Sequence, residues 1–131
     1  MKVLLADDSV LILERLQEML SVYREVEIVG SFENGIDTLD ALRTLQPDLA
    51  IIYIRMPELS GLDIFTQFRK ENKSITFIIL TLYSSDYFKR MTIKAGSDYF
   101  FNKIDDFERV SEVVAELLAK ENSRYIETAA C

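Results

Sequence analysis

The side chains with the types to do chemistry fall at four places in this sequence. Asp7 and Asp8 are adjacent, directly after the short apolar run Lys2–Ala6. Tyr53 stands near the end of a longer apolar run that opens at Pro47-Asp48 and stops at Arg55-Met56-Pro57. Thr81 follows a third run, Ile75–Leu80, and Lys103 follows Tyr99-Phe100-Phe101. Two neighbouring carboxylates repel each other. A divalent cation relieves that repulsion, and Mg²⁺ in particular takes a few carboxylates plus water. A hydroxyl and an ammonium beside such a pair suit the oxygens of a phosphoryl group. Each feature alone has a plainer account. Asp7-Asp8-Ser9 can simply cap a helix, a Thr at a strand end follows β-propensity, and a loop Lys is ordinarily a solvated charge. Convergence on one point is what would make them a site.

Composition narrows the chemistry. The chain has 131 residues and no histidine, which removes imidazole bases, imidazole metal ligands and Ser-His or Cys-His triads. Its one cysteine, Cys131, leaves no internal disulfide and no cysteine metal cluster, so a cytoplasmic location is expected. A net charge of −7 speaks against direct binding to nucleic acid, which needs a basic face. No apolar run is long enough to cross a membrane, and the acids soon after Met1 do not suit a secretory signal.

The elements that must position these residues follow from the apolar periodicity. Val10, Leu13, Leu16 and Leu20, with Ile12 and Met19 beside them, predict a helix over residues 9–23. Val26–Gly30 reads as a strand, Asn34-Gly35 as a turn, and Ile36, Leu39, Leu42 and Leu45 as the stripe of a second helix. The run from Leu49 to Ile54 has the continuous apolar character of a strand buried on both faces. Pro57 stops it, and Ser60 stands where the cap of a third helix belongs, carried by Leu62, Phe65 and Phe68. Ser84-Ser85-Asp86 caps a fourth helix, stopped by Gly96. Phe107, Val110, Val114, Leu117 and Leu118 mark a last helix over about residues 105–120, before a tail, 121–131, expected to be mobile. Five strands alternating with five helices predict an α/β fold, a doubly wound five-stranded parallel sheet of flavodoxin-like type in the order 2-1-3-4-5. In such a sheet the four candidate places share the carboxyl edge, where open α/β folds put their sites.

From Met1 to about Lys120 the sequence resembles the receiver domain of bacterial two-component response regulators. The resemblance is carried by Asp7-Asp8, Pro47-Asp48-Leu49, Met56-Pro57-Glu58-Leu59-Ser60-Gly61, Thr81, and Ala95-Gly96 leading to Phe100 and Lys103. It implies that the residue ending the third strand accepts a phosphoryl group from a histidine kinase. It further implies that Asp7, Asp8 and the Arg55 carbonyl hold Mg²⁺, that Thr81 and Lys103 hold the phosphate, and that Phe100 is an aromatic that turns inward as the signal. Output would pass to a downstream effector through helix four, strand five and helix five, a face bearing Lys89, Arg90, Asp98, Asp105, Arg109 and Glu112. The expected assembly is a monomer or weak homodimer.

The sequence departs from that family where it matters most. Tyr53 occupies the position of the accepting aspartate. A phenol ordinarily ionises near pH 10, at about six units above a carboxylate, and is a poor nucleophile at neutral pH. It is also longer than aspartate and able to fill the cleft between Asp8, Thr81 and Lys103. The loss of one charge weakens any Mg²⁺ site. Asp48 and Asp63 cannot substitute, one being at the far end of the strand and the other on the next helix. Leu82 and Ile104 stand where the family has a small residue and a proline. A pseudo-receiver, or an acceptor-substituted variant, is the expectation. An Mg²⁺-dependent phosphatase or phosphotransferase on a similar sheet is the alternative, against which stands the lack of an Asp-x-Asp after the first strand. A flavodoxin-like ligand binder would need Gly, Ser or Thr where this chain has two carboxylates.

Overall fold

The apolar runs become five strands, and the periodic segments between them become helices. The computed structural model describes the backbone of residues 1–82 and 86–130, and the side chains of these apart from 87, 88 and 122–130. In chain order the elements are β1 (Lys2–Ala6), α1 (Val10–Leu20), β2 (Glu27–Phe32), α2 (Gly35–Leu45), β3 (Leu49–Tyr53), α3 (Gly61–Glu71), β4 (Thr76–Thr81), α4 (Asp86–Lys94), β5 (Tyr99–Asn102) and α5 (Phe107–Ala130). The strands pair in parallel in the order β2-β1-β3-β4-β5, as the alternation predicts.

Every residue of β3 is buried, because helices cover both faces of the sheet. The two-residue period of the strands sorts the core into two layers. Leu4, Ala50, Ile52, Phe77 and Ile79 pack against Leu39 and Leu42 of α2 and Ile64, Phe65 and Phe68 of α3. Val3, Leu5, Leu49, Ile51, Ile78 and Leu80 pack against Leu13, Leu16 and Leu20 of α1 and Val110, Val114 and Leu118 of α5. Among the described residues no helix is long and apolar enough to cross a membrane.

Local chemistry sets the element ends. Ser9, Asn34 and Ser60 are the N-caps of α1, α2 and α3, each accepting a backbone N–H from three residues on. Gly96, at φ 118°, stops the chain after α4 in a conformation that few side chains tolerate. The expected capping serines of α4, Ser84 and Ser85, lie outside the described residues, as does Cys131.

Several expectations need correction. Asn34-Gly35 is the start of α2 rather than a free turn, and β2 runs two residues past Gly30 to Phe32. Val10 and Ile36 are about half exposed, at 52% and 51%. Both sit in the first turn of a helix, where the helical period places them without burying them. The last helix does not stop near Lys120: its backbone continues through Ala130. Residues 108–130 contain neither Gly nor Pro, so helix propensity carries the backbone on after the apolar stripe has ended.

Candidate functional site at the carboxyl edge of the sheet

Asp7 is the first residue past β1. Its backbone N–H donates to the Phe32 carbonyl at 3.0 Å, which extends the β1–β2 pairing by one rung. Its Oδ1 accepts the Ser9 N–H at 2.9 Å, while Ser9 Oγ accepts the Ile12 N–H at 3.3 Å. The Asp7-Asp8-Ser9 turn therefore does cap α1, and the same turn aims Asp7 inward. Asp7 is fully buried and Asp8 is exposed. The two carboxylates that looked equivalent in the sequence stand in opposite environments.

Tyr53 ends β3 in register with Leu80 and is buried with the α2/α3 layer of the core. The chain after it is tied back at once. Ile54 N–H donates to the Leu80 carbonyl at 2.9 Å, and Gly61 N–H donates to the Ile54 carbonyl at 2.8 Å. A Cβ at position 61 would lie 2.7 Å from the Tyr53 carbonyl oxygen, so only glycine lets the start of α3 rest on the strand end. Thr81 ends β4, fully buried, and its carbonyl accepts the Lys103 N–H at 2.8 Å. That bond carries the β4–β5 pairing one residue past Asn102 and fixes where the Lys103 side chain begins.

Three groups then meet. Lys103 Nζ lies 3.2 Å from Asp7 Oδ1 and 3.1 Å from Oδ2, and both residues are buried. The same ammonium stands 3.5 Å from the centre of the Tyr53 ring, in cation–π contact. Burial pushes the Asp7 carboxyl above its usual range. The Ser9 N–H and the Lys103 ammonium pull it down, and the neighbouring Asp8 carboxyl pushes it up. The net direction is upward, so desolvation outweighs the ion pair.

The remaining candidates fall around this centre. Arg55 is exposed on the loop after β3, and Phe100 is buried on β5 in the α2/α3 layer. Leu82 and Ile104 are exposed beside Thr81 and Lys103. Asp48 lies at the opposite edge, where its Oδ2 accepts the Lys2 N–H at 2.7 Å, and Asp63 bonds Ser60 in the cap of α3. Neither reaches Tyr53. On the α4–β5–α5 face, Lys89, Arg90, Asp105, Arg109 and Glu112 are exposed. Asp98 is exposed as well, and its Oδ2 accepts the Phe77 N–H at 2.8 Å and an Arg69 guanidinium N–H at 2.9 Å. A groove of about 530 Å³ runs beside the site between α1 and the start of α5, lined by Arg15, Met19, Ile104, Asp105, Phe107 and Glu108. What the sequence did not show is the direct pairing of Lys103 with Asp7. The two are 96 positions apart, and only the strand order brings them together.

The donor set does not fit a tight Mg²⁺ site. Among the described residues no three Asp, Glu, His or Cys side chains gather as metal ligands. Both oxygens of Asp7 already face an ammonium, and that leaves one exposed carboxylate and a loop carbonyl for a cation that favours several oxygen ligands.

The sequence model for the response regulator receiver domain matches residues 3–115. A protein-glutamate methylesterase/protein-glutamine glutaminase of Methanospirillum hungatei is 34% identical over 122 residues, covering 91% of this chain and 35% of that protein. Response regulator GacA of Pseudomonas aeruginosa is 26% identical over 125 residues, covering 95% of this chain and 58% of that protein. This chain thus spans between a third and three fifths of the length of these two relatives. Among solved structures, the isolated REC domain of RcsB from Salmonella enterica, with the phosphomimetic BeF₃⁻, superposes with a TM-score of 0.84 at 20% identity, covering 91% of this chain and 88% of that one. The signal receiver domain of NarL from Mycobacterium tuberculosis gives 0.81 at 21% identity, covering 88% and 94%. At those identities the structural likeness speaks for the fold alone.

Proposed function

Because this chain belongs to the response regulator receiver domain family, we propose that it is a two-component signalling module whose aspartyl phosphorylation is lost at Tyr53. The observation that carries this is the Tyr53 ring itself. It is buried at the end of β3, where the family resemblance puts the accepting aspartate, with the Lys103 ammonium 3.5 Å above it. An acceptor in that place must attack phosphorus with a carboxylate oxygen and become an acyl phosphate. A neutral phenol does neither at physiological pH, and its ring takes up space that a phosphoryl group would need. Asp7 is a poor substitute nucleophile, since it is fully buried and Lys103 covers both its oxygens.

In this proposal the roles of the other residues are inherited rather than exercised. Thr81 and Lys103 retain the positions of phosphate ligands, Phe100 that of the switch aromatic, and Asp7, Asp8 and the Arg55 carbonyl those of weak or vestigial Mg²⁺ ligands. The module, taken as residues 1–120, acts by protein–protein contact and not as an enzyme. A histidine kinase and a downstream effector are its expected class of partner, met through α4, β5 and α5 in the cytosol, with the chain a monomer or weak homodimer. The single cysteine suits a reducing compartment.

The experiment is incubation with acetyl phosphate and Mg²⁺, followed by intact-mass spectrometry with and without hydroxylamine. No hydroxylamine-labile phosphoryl adduct is expected on the native chain, and one is expected on Tyr53→Asp. An adduct on Asp7 or Asp8 of the native chain would overturn the proposal.

A further inference from the structure

We propose that the Lys103 ammonium is a built-in cation that takes the place of a divalent metal at the acid pair, and that the Tyr53 ring is the seat that keeps it there. This rests on assigning Asp7 and Asp8 as that pair, but not on whether any phosphoryl group is transferred.

The geometry is that of a filled site. A lysine holding one oxygen of a carboxylate leaves the other for a metal. Here Nζ is nearly equidistant from both Asp7 oxygens, at 3.2 and 3.1 Å, so the ammonium straddles the carboxylate. Oδ1 also accepts the Ser9 N–H at 2.9 Å. A metal approaching Asp7 would meet an ammonium already on its oxygens. Close approach of a unit charge to a divalent cation is strongly unfavourable even at the screened dielectric of a protein surface.

The ring explains why the ammonium stays. A lysine has a flexible stem and a strongly hydrated head, and a single buried carboxylate holds such a group poorly. The Tyr53 face supplies a second, uncharged attraction at 3.5 Å. Only 8% of Lys103 and 6% of Tyr53 are exposed, so little water competes. The backbone bond from Lys103 N–H to the Thr81 carbonyl fixes the root of the side chain. Carboxylate, ring face and tethered stem together make a socket for one positive charge. Because the attraction comes from the ring face, the phenolic hydroxyl is dispensable to it.

The test uses the whole chain and Mn²⁺ as the probe, read by paramagnetic broadening of backbone amide resonances. In the native protein, amides around residues 7, 8 and 53–55 are expected to stay sharp at Mn²⁺ concentrations that broaden them in Lys103→Met, with at least about a tenfold gain in apparent affinity for the variant, the scale set by removing a like charge from contact distance. Equal broadening in the two proteins overturns the proposal. So does a silent Lys103→Met, since something other than the ammonium would then be excluding the metal. Should Lys103→Met fail to fold, the Lys103 side-chain protons decide. They are expected to be shifted upfield by the ring in the native chain and in Tyr53→Phe, and to return to ordinary values in Tyr53→Leu. Ordinary values in the native chain, or a loss in Tyr53→Phe, would overturn it. Acetyl phosphate plays no part in either measurement, so this inference and the proposed loss of phosphorylation fail separately.

Discussion

The sheet has a cation, an aspartate and an aromatic ring at each of its two edges, and the two sets are built to different ends. At the amino edge, Arg69 lies over the Phe77 ring at 4.9 Å and bonds Asp98 at 2.9 Å. At the carboxyl edge, Lys103 lies over the Tyr53 ring at 3.5 Å and bonds Asp7 at 3.1 Å. Arg69 has more to do than hold its aspartate. Its fork also donates to the Ile75 carbonyl at 2.6 Å and to the Gly96 carbonyl at 3.1 and 2.9 Å, tying α3 to the start of β4 and the turn before β5. Asp98 is 44% exposed and accepts a strand N–H as well, so its charge is shared between water and two donors. Asp7 is wholly enclosed and held above its usual range by that enclosure. A guanidinium saturated by carbonyls is architecture. At the carboxyl edge an ammonium, one enclosed carboxylate and a ring face are held together instead, with no side-chain bond from Lys103 to a carbonyl among the bonds described.

The comparison can be broken from the amino edge first, where the largest effect is expected. Arg69→Ala removes four hydrogen bonds, one of them charge-paired, from a side chain that is 17% exposed. It should lower stability by about 2–4 kcal/mol, the range for uncovering buried partners of a charge, as read by urea unfolding. Arg69→Lys should recover less than half of that loss, because an ammonium cannot reach the Ile75 and Gly96 carbonyls and Asp98 at once. Full recovery would mean that Arg69 acts as a point charge, like Lys103, and would erase the contrast.

A smaller and opposite effect is expected at the carboxyl edge. A carboxyl whose folded value is raised binds its proton more tightly folded than unfolded. Its contribution to stability is therefore present below the ordinary value of 3.8 and is lost as pH rises through the raised value. Asp7→Asn imitates the neutral form. The variant should melt higher than the native chain near neutral pH, and the difference should close in acid. A variant that melts lower at neutral pH would show that the Lys103 ion pair outweighs burial.

The same two edges show how far the sequence could be read. The strand order, the fully buried β3 and the caps at Ser9 and Ser60 are local or topological signals, and they were legible. So was the gathering of Asp7, Tyr53 and Lys103 on one edge, because parallel strands put all their carboxyl ends together. The unequal fates of Asp7 and Asp8 were not, since adjacent residues on a turn point in different directions and neither type nor spacing says which goes inward. Nor was the engagement of Asp98, because it runs to Arg69 and to a backbone N–H, and bonds to backbone leave no mark in side-chain patterning. The role of Arg69 is not legible for the same reason: three of its four bonds go to carbonyls. The end of α5 is not legible either, because an apolar stripe reports where a helix is covered, not where its backbone stops.

The claim on which the rest depends is that the Tyr53 ring closes the carboxyl edge to a phosphoryl group. Fluorine-19 NMR of the native chain with beryllium fluoride and Mg²⁺ tests it most directly, with Tyr53→Asp beside it. The native chain should show only the free fluoride species, while Tyr53→Asp should show a bound BeF₃⁻ signal. A bound signal from the native chain would mean that an oxygen at that edge still accepts the phosphoryl mimic with the tyrosine in place.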